Sequence, residues 1–378
     1  MLLLETTMRV GIYILLGVIF FSCSEKKITF QETREIDLSS LQMVSENLFF
    51  DKLELIPLET TSQSLIRRID KIEVSNGMYY ILDYRRSCVL AFDMNGKFLF
   101  VIDEKGKAPG QYLTVSDFSY NKNTDKIEIL SGMNSELFIY NSTNGHFVES
   151  FKLPLLKDAA YMKFRYLSED LICFWTSDEE HRLYVYSRSK NKILAKFYKE
   201  DSLDKFCSNC FSVSGHLVRG LQWSIWRIKP NDLQFAYRWS FKGLDEKLDK
   251  KELMQWVIKP REYGRKIYAS ELADIVLYKQ FENKKYGYVE AYRKNDCYQV
   301  MYDKKTKLTY TLKDWKNETT LSPLYMDENC ILCVTEEDKL SHSLLEGEIS
   351  LEKNEKVWRE HRSEDNPVLL KYSFKHEK

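Results

Sequence analysis

The chain has 378 residues, of which 44% are hydrophobic and 14% aromatic, and its 56 basic and 56 acidic side chains leave a formal net charge of zero. That is ample material for a core, and although the length exceeds the usual ~100–200 residues of one domain, closed all-β architectures often run longer as a single unit. The charge balance argues against nucleic acid as a partner, because phosphate binding needs a basic excess on some face.

Met1–Glu5 is a poor export start because Glu5 is acidic, whereas Met8-Arg9 followed by apolar Val10–Phe21 supplies the basic and hydrophobic regions of a signal peptide. The apolar stretch is too short for the ~20 residues that span a bilayer. Phe21-Ser22-Cys23-Ser24 then puts a small residue before a cysteine. This resembles the bacterial lipoprotein signal, and it implies cleavage before Cys23 and lipidation of its thiol; plain cleavage and secretion is the alternative. Residues 1–22, or 8–22 if Met8 is the start, read as the signal peptide. The polar, unpatterned residues 23–50 read as a lipid-anchored tether, and 51–378 as one domain.

Leu53–Leu58 is a short strand with no hairpin partner nearby. Ile69–Ile102 then reads as a complete four-stranded meander, with Ser75-Asn76-Gly77 and Asp93-Met94-Asn95-Gly96 as its hairpin turns. Its apolar residues do not alternate: Tyr79, Tyr80, Ile81 and Leu82 are consecutive, as are Phe98–Ile102. Both faces of this sheet must therefore be covered, which radially packed propeller blades achieve in a single chain, a β-sandwich being the alternative.

The pattern recurs. A β-rich run with a terminal aromatic meets a polar turn at Phe92-Asp93, Tyr140-Asn141 and Tyr186-Ser187, intervals that suit a four-stranded blade of ~40–50 residues. Val115–Leu153 is the second copy, Ala160–Lys199 the third, Phe211–Phe241 a weaker fourth and Ile275–Leu312 the fifth. Residues 245–273 lose the strand pattern, and Lys250–Ile258 reads as a short inserted helix. The sixth copy lacks one strand, and Leu53–Leu58 is the obvious candidate to complete it and lock the circle. The expected fold is all-β: a six-bladed β-propeller of four-stranded antiparallel blades, with a short helical insertion and closure by strands from both ends.

LELIPLETT at Leu53–Thr61, the blade IDKI…YYILD…VLAFDMNGKFL, the loop Gly106–Tyr112 and Asn366-Pro367-Val368-Leu369 together resemble the six-bladed β-propeller lipoproteins of Gram-negative envelopes, relatives of NHL-repeat and TolB-like propellers. The resemblance covers roughly Leu53–Phe374. It implies the fold, export and a lipid-anchored place in the envelope, on the periplasmic side or the outer surface, and it brings no catalytic residues.

The chemistry-bearing residues are sparse. Gly106, Pro109 and Gly110 enforce tight turns in a structural loop. Tyr112 in that loop, with Trp175, Trp223 and Trp226 near strand ends, are candidates to stack on a glycan or anchor a peptide, with packing between blades as the alternative for each tryptophan. Cys207 and Cys210 are spaced for a small disulfide in an oxidising envelope, whereas Cys330 and Cys333 lie in a strand-like run and read as buried. The six histidines fall in expected turns or the tail without ligand spacing, and read as solvated. With no nucleophile elbow, zinc-protease or phosphate-loop motif, no cofactor or metal is expected. The reading is a non-catalytic binding or protein-interaction module with an envelope protein, glycan or peptide as partner; the alternative is a propeller enzyme of lyase or metal-dependent lactonase type acting at the channel mouth.

Overall fold

The computed structural model describes residues 32–375 except 41, 45, 179, 200–214, 219–221, 246–273, 294–295, 313–322, 336–359 and 363. Three strands precede the first blade: β1 (Thr33–Ile36), β2 (Gln42–Val44) and β3 (Phe50–Pro57). Blade 1 is β4 (Lys71–Ser75), β5 (Met78–Asp83), β6 (Cys88–Asp93) and β7 (Phe98–Ile102). Blade 2 is β8 (Asp117–Asn121), β9 (Lys126–Ser131), β10 (Glu136–Asn141) and β11 (Phe147–Lys152). Blade 3 is β12 (Tyr161–Tyr166), β13 (Leu171–Thr176), β14 (Leu183–Ser187) and β15 (Lys192–Phe197). Blade 4 has β16 (His216–Leu217), β17 (Ser224–Ile228) and β18 (Leu233–Phe241). Blade 5 has β19 (Val276–Glu282), β20 (Tyr286–Arg293), β21 (Asp296–Asp303) and β22 (Thr309–Leu312), and blade 6 has β23 (Pro323–Met326), β24 (Cys330–Thr335) and β25 (Val368–Phe374).

The six sheets form a ring, the expected all-β propeller. Six apolar clusters fill it, one at each junction between neighbouring blades. They explain the consecutive apolar runs. Tyr79 and Ile81 face blade 6, while Tyr80 and Leu82 face blade 2. A sheet buried on both faces has no use for polar alternation.

The ring closes as expected. β3 pairs antiparallel with β25 as the outermost strand of blade 6, in the register Leu55↔Leu370. Buried Asn366 fastens this closure from the side: its Oδ1 accepts from Ile66 N–H at 2.7 Å, and its amide donates to Glu59 O and Ser64 O at 2.8 and 2.9 Å. Gly96 abuts the same strand with φ +83°, and a Cβ there would lie 2.1 Å from Pro57 O, so only glycine fits.

The stretch expected as a tether is different. Residues 33–36 and 42–44 are strands, β1 running parallel to β18 as the fourth strand of blade 4 and β2 parallel to β22 as a fifth strand of blade 5. The signal was concealed because the alternation of β1 buries Arg34 and Ile36, and a charged residue occupies one inward position. Among the described residues the helical content is little more than the 3₁₀ turn Glu46–Leu48. The expected helical insertion, the Cys207–Cys210 pair and Cys23 lie outside the described residues.

Candidate functional site: the central channel

The first strand of each blade ends its sheet on the inside. These strands enclose a cavity of about 1330 Å³, walled mainly by β4, β8, β12, β19 and β23, with Val218 just beyond β16. An innermost strand presents backbone N–H groups that no ladder satisfies. Side chains from the preceding blade supply the partners. Glu73 on β4 accepts from Tyr120 N–H on β8 at 2.7 Å, and Asp117 on β8 accepts from Phe164 N–H on β12 at 3.0 Å. Lys71 sits between the two acids, 3.1 Å from Glu73 and 3.0 Å from Asp117. Burial pulls the Lys71 ammonium down, but Asp117 and Glu73 outweigh it and hold it above its ordinary value.

Asp70, just before β4, is held within its own blade, accepting from Tyr84 N–H of the β5–β6 turn at 2.7 Å and pairing with Arg68 at 2.5 Å. Further round the wall, β12 contributes Lys163 and Arg165 and β19 contributes Lys279. Burial pushes the Arg165 guanidinium below its usual value, against the opposing influence of Cys173, Glu73 and Asp117. Among the described residues the wall carries six cations, Arg68, Lys71, Lys122, Lys163, Arg165 and Lys279, against the carboxylates Asp70, Glu73, Asp117 and Glu169. Tyr278 and Met162 add exposed apolar surface, at 43% and 41%.

Behind the wall residues Asn121 and Tyr166, Glu128 is fully buried and accepts from Asn121 at 2.9 Å, from Arg188 at 2.9 Å and from Tyr166, tying blade 2 to blade 3. Among the described residues no three His, Cys, Asp or Glu side chains are grouped to hold a metal ion. His216 departs from the expectation of solvated histidines: it lies in β16, is buried, and burial lowers its pKa to about 4. The strand there is only two residues long, too short to read as one.

The aromatic candidates are placed apart. Tyr112 is fully buried between blades 1 and 2, its hydroxyl donating to Ser87 O and Ile102 O at 3.0 and 2.9 Å. Trp175 is buried at the junction of blades 3 and 4, with Trp226 half-buried against the same cluster. Trp223 is buried between blades 4 and 5. The structure does not bring the four together, and none lines the channel. Gly106, Pro109 and Gly110 form a clasp over blade 2: Tyr140 donates to Gly110 O at 2.9 Å, and Gly110, at φ +80°, lies on the Phe147 ring. A groove of about 600 Å³ runs beside it, with Pro109 and Phe147 among its walls. Cys88, Cys173, Cys330 and Cys333 are buried free thiols, and burial raises the first three to about 12.

The channel residues went unrecognised from the sequence. Their signal was present: charged residues two apart in the first strand of a blade, Lys71 and Glu73 in KIEV, and Lys163 and Arg165 in MKFR.

Residues 28–373 match the family described as Domain of unknown function (DUF4934), and the chain belongs to that family. Its fold is similar to that of a Bacteroides fragilis protein described as exported, with a TM-score of 0.69 at 17% identity over 92% of this chain and 99% of that one. It is also similar to a member of the DUF4221 family from Bacteroides vulgatus, with a TM-score of 0.51 at 10% identity over 87% and 98% of the two chains. At these identities the likeness is one of fold. The chain matches none of the curated proteins.

Proposed function

We propose that the protein is a non-catalytic binding module of the bacterial cell envelope, held at a membrane by a lipid on Cys23, and that it takes an acidic glycan or peptide segment into the central channel. The observation that carries this reading is how the channel uses its carboxylates. Glu73 and Asp117 each accept from a backbone N–H of the next blade and pair with Lys71, while Asp70 accepts from Tyr84 N–H and pairs with Arg68, so all three are engaged in holding the wall. A general acid or base must instead reach the substrate's proton, and these carboxylates are turned to the protein's own donors. What remains is a wide cavity with more cations than carboxylates among its described lining residues, suited to a negatively charged ligand. The export signal, together with a similarly folded Bacteroides fragilis protein described as exported, supports the envelope address.

The test is calorimetric titration of the protein with oligogalacturonate, a short polyglutamate peptide and neutral malto-oligosaccharides. One or both acidic probes should bind and the neutral ones should not. Lys279→Ala should weaken binding by about tenfold or more, the scale of one hydrogen bond to a charged group. Chemical turnover of a probe, equal binding of neutral and acidic probes, or indifference to both Lys163→Ala and Lys279→Ala would overturn the reading.

A further inference from the structure

In each blade, the link from the preceding blade and the turn between the second and third strands emerge on one face of the ring. On that face blades 1–3 expose five large apolar side chains: Leu65 (47%), Tyr84 (45%), Leu113 (39%), Met133 (72%) and Leu155 (86%). Hydrogen bonds join their loops into one continuous arc. Arg86 donates to Leu65 O, and Lys105 to Arg86 O at 3.1 Å. Gly132 N–H donates to Ser116 Oγ at 3.0 Å, and Leu153 N–H to Ser135 O at 2.7 Å. The opposite turns 75–77, 93–97 and 122–125 expose no large apolar side chain among the described residues, and beside the turn 142–146 Phe147, at 40%, lies against Gly110.

The arc is also basic. Arg67, Arg68, Arg85, Lys105, Lys107 and Lys157 are exposed along it, against exposed Glu59, Asp103, Glu104 and Asp158, and exposed Glu180 is paired with exposed Lys199. Arg67, Arg85, Lys107 and Lys157 make no ion pair among the described residues. Cations stand one or two residues from the apolar tips, as in Leu65-Ile66-Arg67, Tyr84-Arg85 and Leu155-Leu156-Lys157. The core of a protein–protein interface is depleted of lysine, whereas interleaved cations and apolar tips suit the boundary of an anionic bilayer.

We infer that this arc is a membrane-docking surface, which lays the propeller on anionic lipid headgroups with its apolar tips in the interfacial layer. The inference rests on the envelope reading for the nearness of a bilayer. Eight residues lie between Cys23 and Glu32, nine steps with a reach of at most ~30 Å, so a lipid on Cys23 would hold the ring within contact distance of its membrane.

The test uses the full chain carrying Cys23→Ala, which bears no lipid, sedimented at low ionic strength with vesicles of phosphatidylethanolamine and phosphatidylglycerol or of phosphatidylcholine alone. It should sediment with the anionic vesicles and not with the neutral ones. Met133→Asp combined with Leu155→Asp should weaken this by at least about tenfold. Arg67→Gln and Lys157→Gln, which leave the packing untouched, should each weaken it by about fivefold. Val148→Asp, on the exposed outer strand β11, should have no effect. Sedimentation with both vesicle types, with neither, or with equal loss in the Val148 variant would overturn the inference. So would rim substitutions that abolish crosslinks to an envelope protein while vesicle binding is absent. Failure of Cys23→Ala to release the protein from cell membranes would instead count against the lipid anchor and leave the vesicle result standing.

Discussion

Blades 1 and 4 reach the same four-stranded form by opposite routes. Blade 1 is written in one continuous stretch, Lys71–Ile102, turned at Asn76-Gly77 with φ of 51° and 69°. Every pairing in it is local and antiparallel. Blade 4 opens with a two-residue strand and borrows its fourth, β1, in parallel from the start of the described chain. Joining such distant segments carries a loop-closure cost that adjacent hairpins avoid. The borrowed strand offsets it by burying Ile36 and Arg34. Blade 6 follows the same rule, since β3 closes the ring from the other end of the sequence. Strands from before the first blade thus complete blades 4 and 6 and extend blade 5, and local hairpins make the rest.

Two truncated chains would break this comparison most severely. Ending the chain after Asp365 removes Asn366 and β25, and with them the central ladder of blade 6 and the lock on Glu59–Ile66. That chain should show no cooperative thermal transition. Starting the chain at Phe49 instead removes β1 and β2 but keeps the β3–β25 closure, so it should still melt cooperatively, at lower temperature. A cooperatively melting chain ending at Asp365 would show that closure by β25 is dispensable.

Arg34 is the fastening of the borrowed strand. Its side chain is 3% exposed, paired with Glu282 at 2.8 Å and Glu32 at 2.9 Å, and it lies 3.4 Å above the Tyr237 ring and 4.8 Å from the Tyr302 ring. Burial alone would lower its pKa; Tyr237 and Glu282 more than restore it, so the cation persists. Arg34→Ala should cost about 3–5 kcal/mol, the scale of breaking a buried ion pair, although Lys304 at 2.9 Å still partners Glu282. Arg34→Lys should cost less than Arg34→Ala yet remain destabilising, because an ammonium cannot reproduce the planar stacking and fork. Urea melts of the three chains would rank them, and equal midpoints would show that β1 is held by its ladder alone.

Legibility followed the same division. The hairpin turns and the apolar runs covered on both faces are local patterns that pointed to stacked blades over a β-sandwich, and the apolar run at Leu53–Leu58 read as a strand whose partner had to come from the incomplete last blade. β1 and β2 were illegible because they are only four and three residues long, and because Arg34 fills a place where a hydrophobe is expected. The channel was illegible for a related reason. Lys71, Glu73 and Asp117 look like ordinary surface charges until the ring sets β4 beside β8. Tyr112 shows the converse: an aromatic in a glycine-rich loop suggests a ligand, while its hydroxyl is engaged by two carbonyls of blade 1 and its connecting loop.

The smallest of these effects depends on pH and also reports on blade 4. His216 stands edge-on to the Tyr237 ring, with centroids 5.9 Å apart. Burial is the main cause of its lowered pKa, about 4; Glu282 opposes that fall, while Arg227, Arg165 and Arg34 add to it. The folded pKa lies below the ordinary value of about 6.5, so on acidification the unfolded chain takes up the proton first. Stability is therefore complete above about pH 6.5 and declines as the pH falls towards 4, by about 3 kcal/mol in all. Glu282, whose pKa is depressed in the folded state because Arg34 and Lys304 overcome its burial, gives a second loss that begins only below the ordinary carboxyl range. Urea midpoints measured from pH 7.5 to about 2.5 should thus fall in two stages. His216→Gln should flatten the first stage and leave the second; a slope between pH 6.5 and 5 that survives this substitution would show that blade 4 does not bury its histidine neutral.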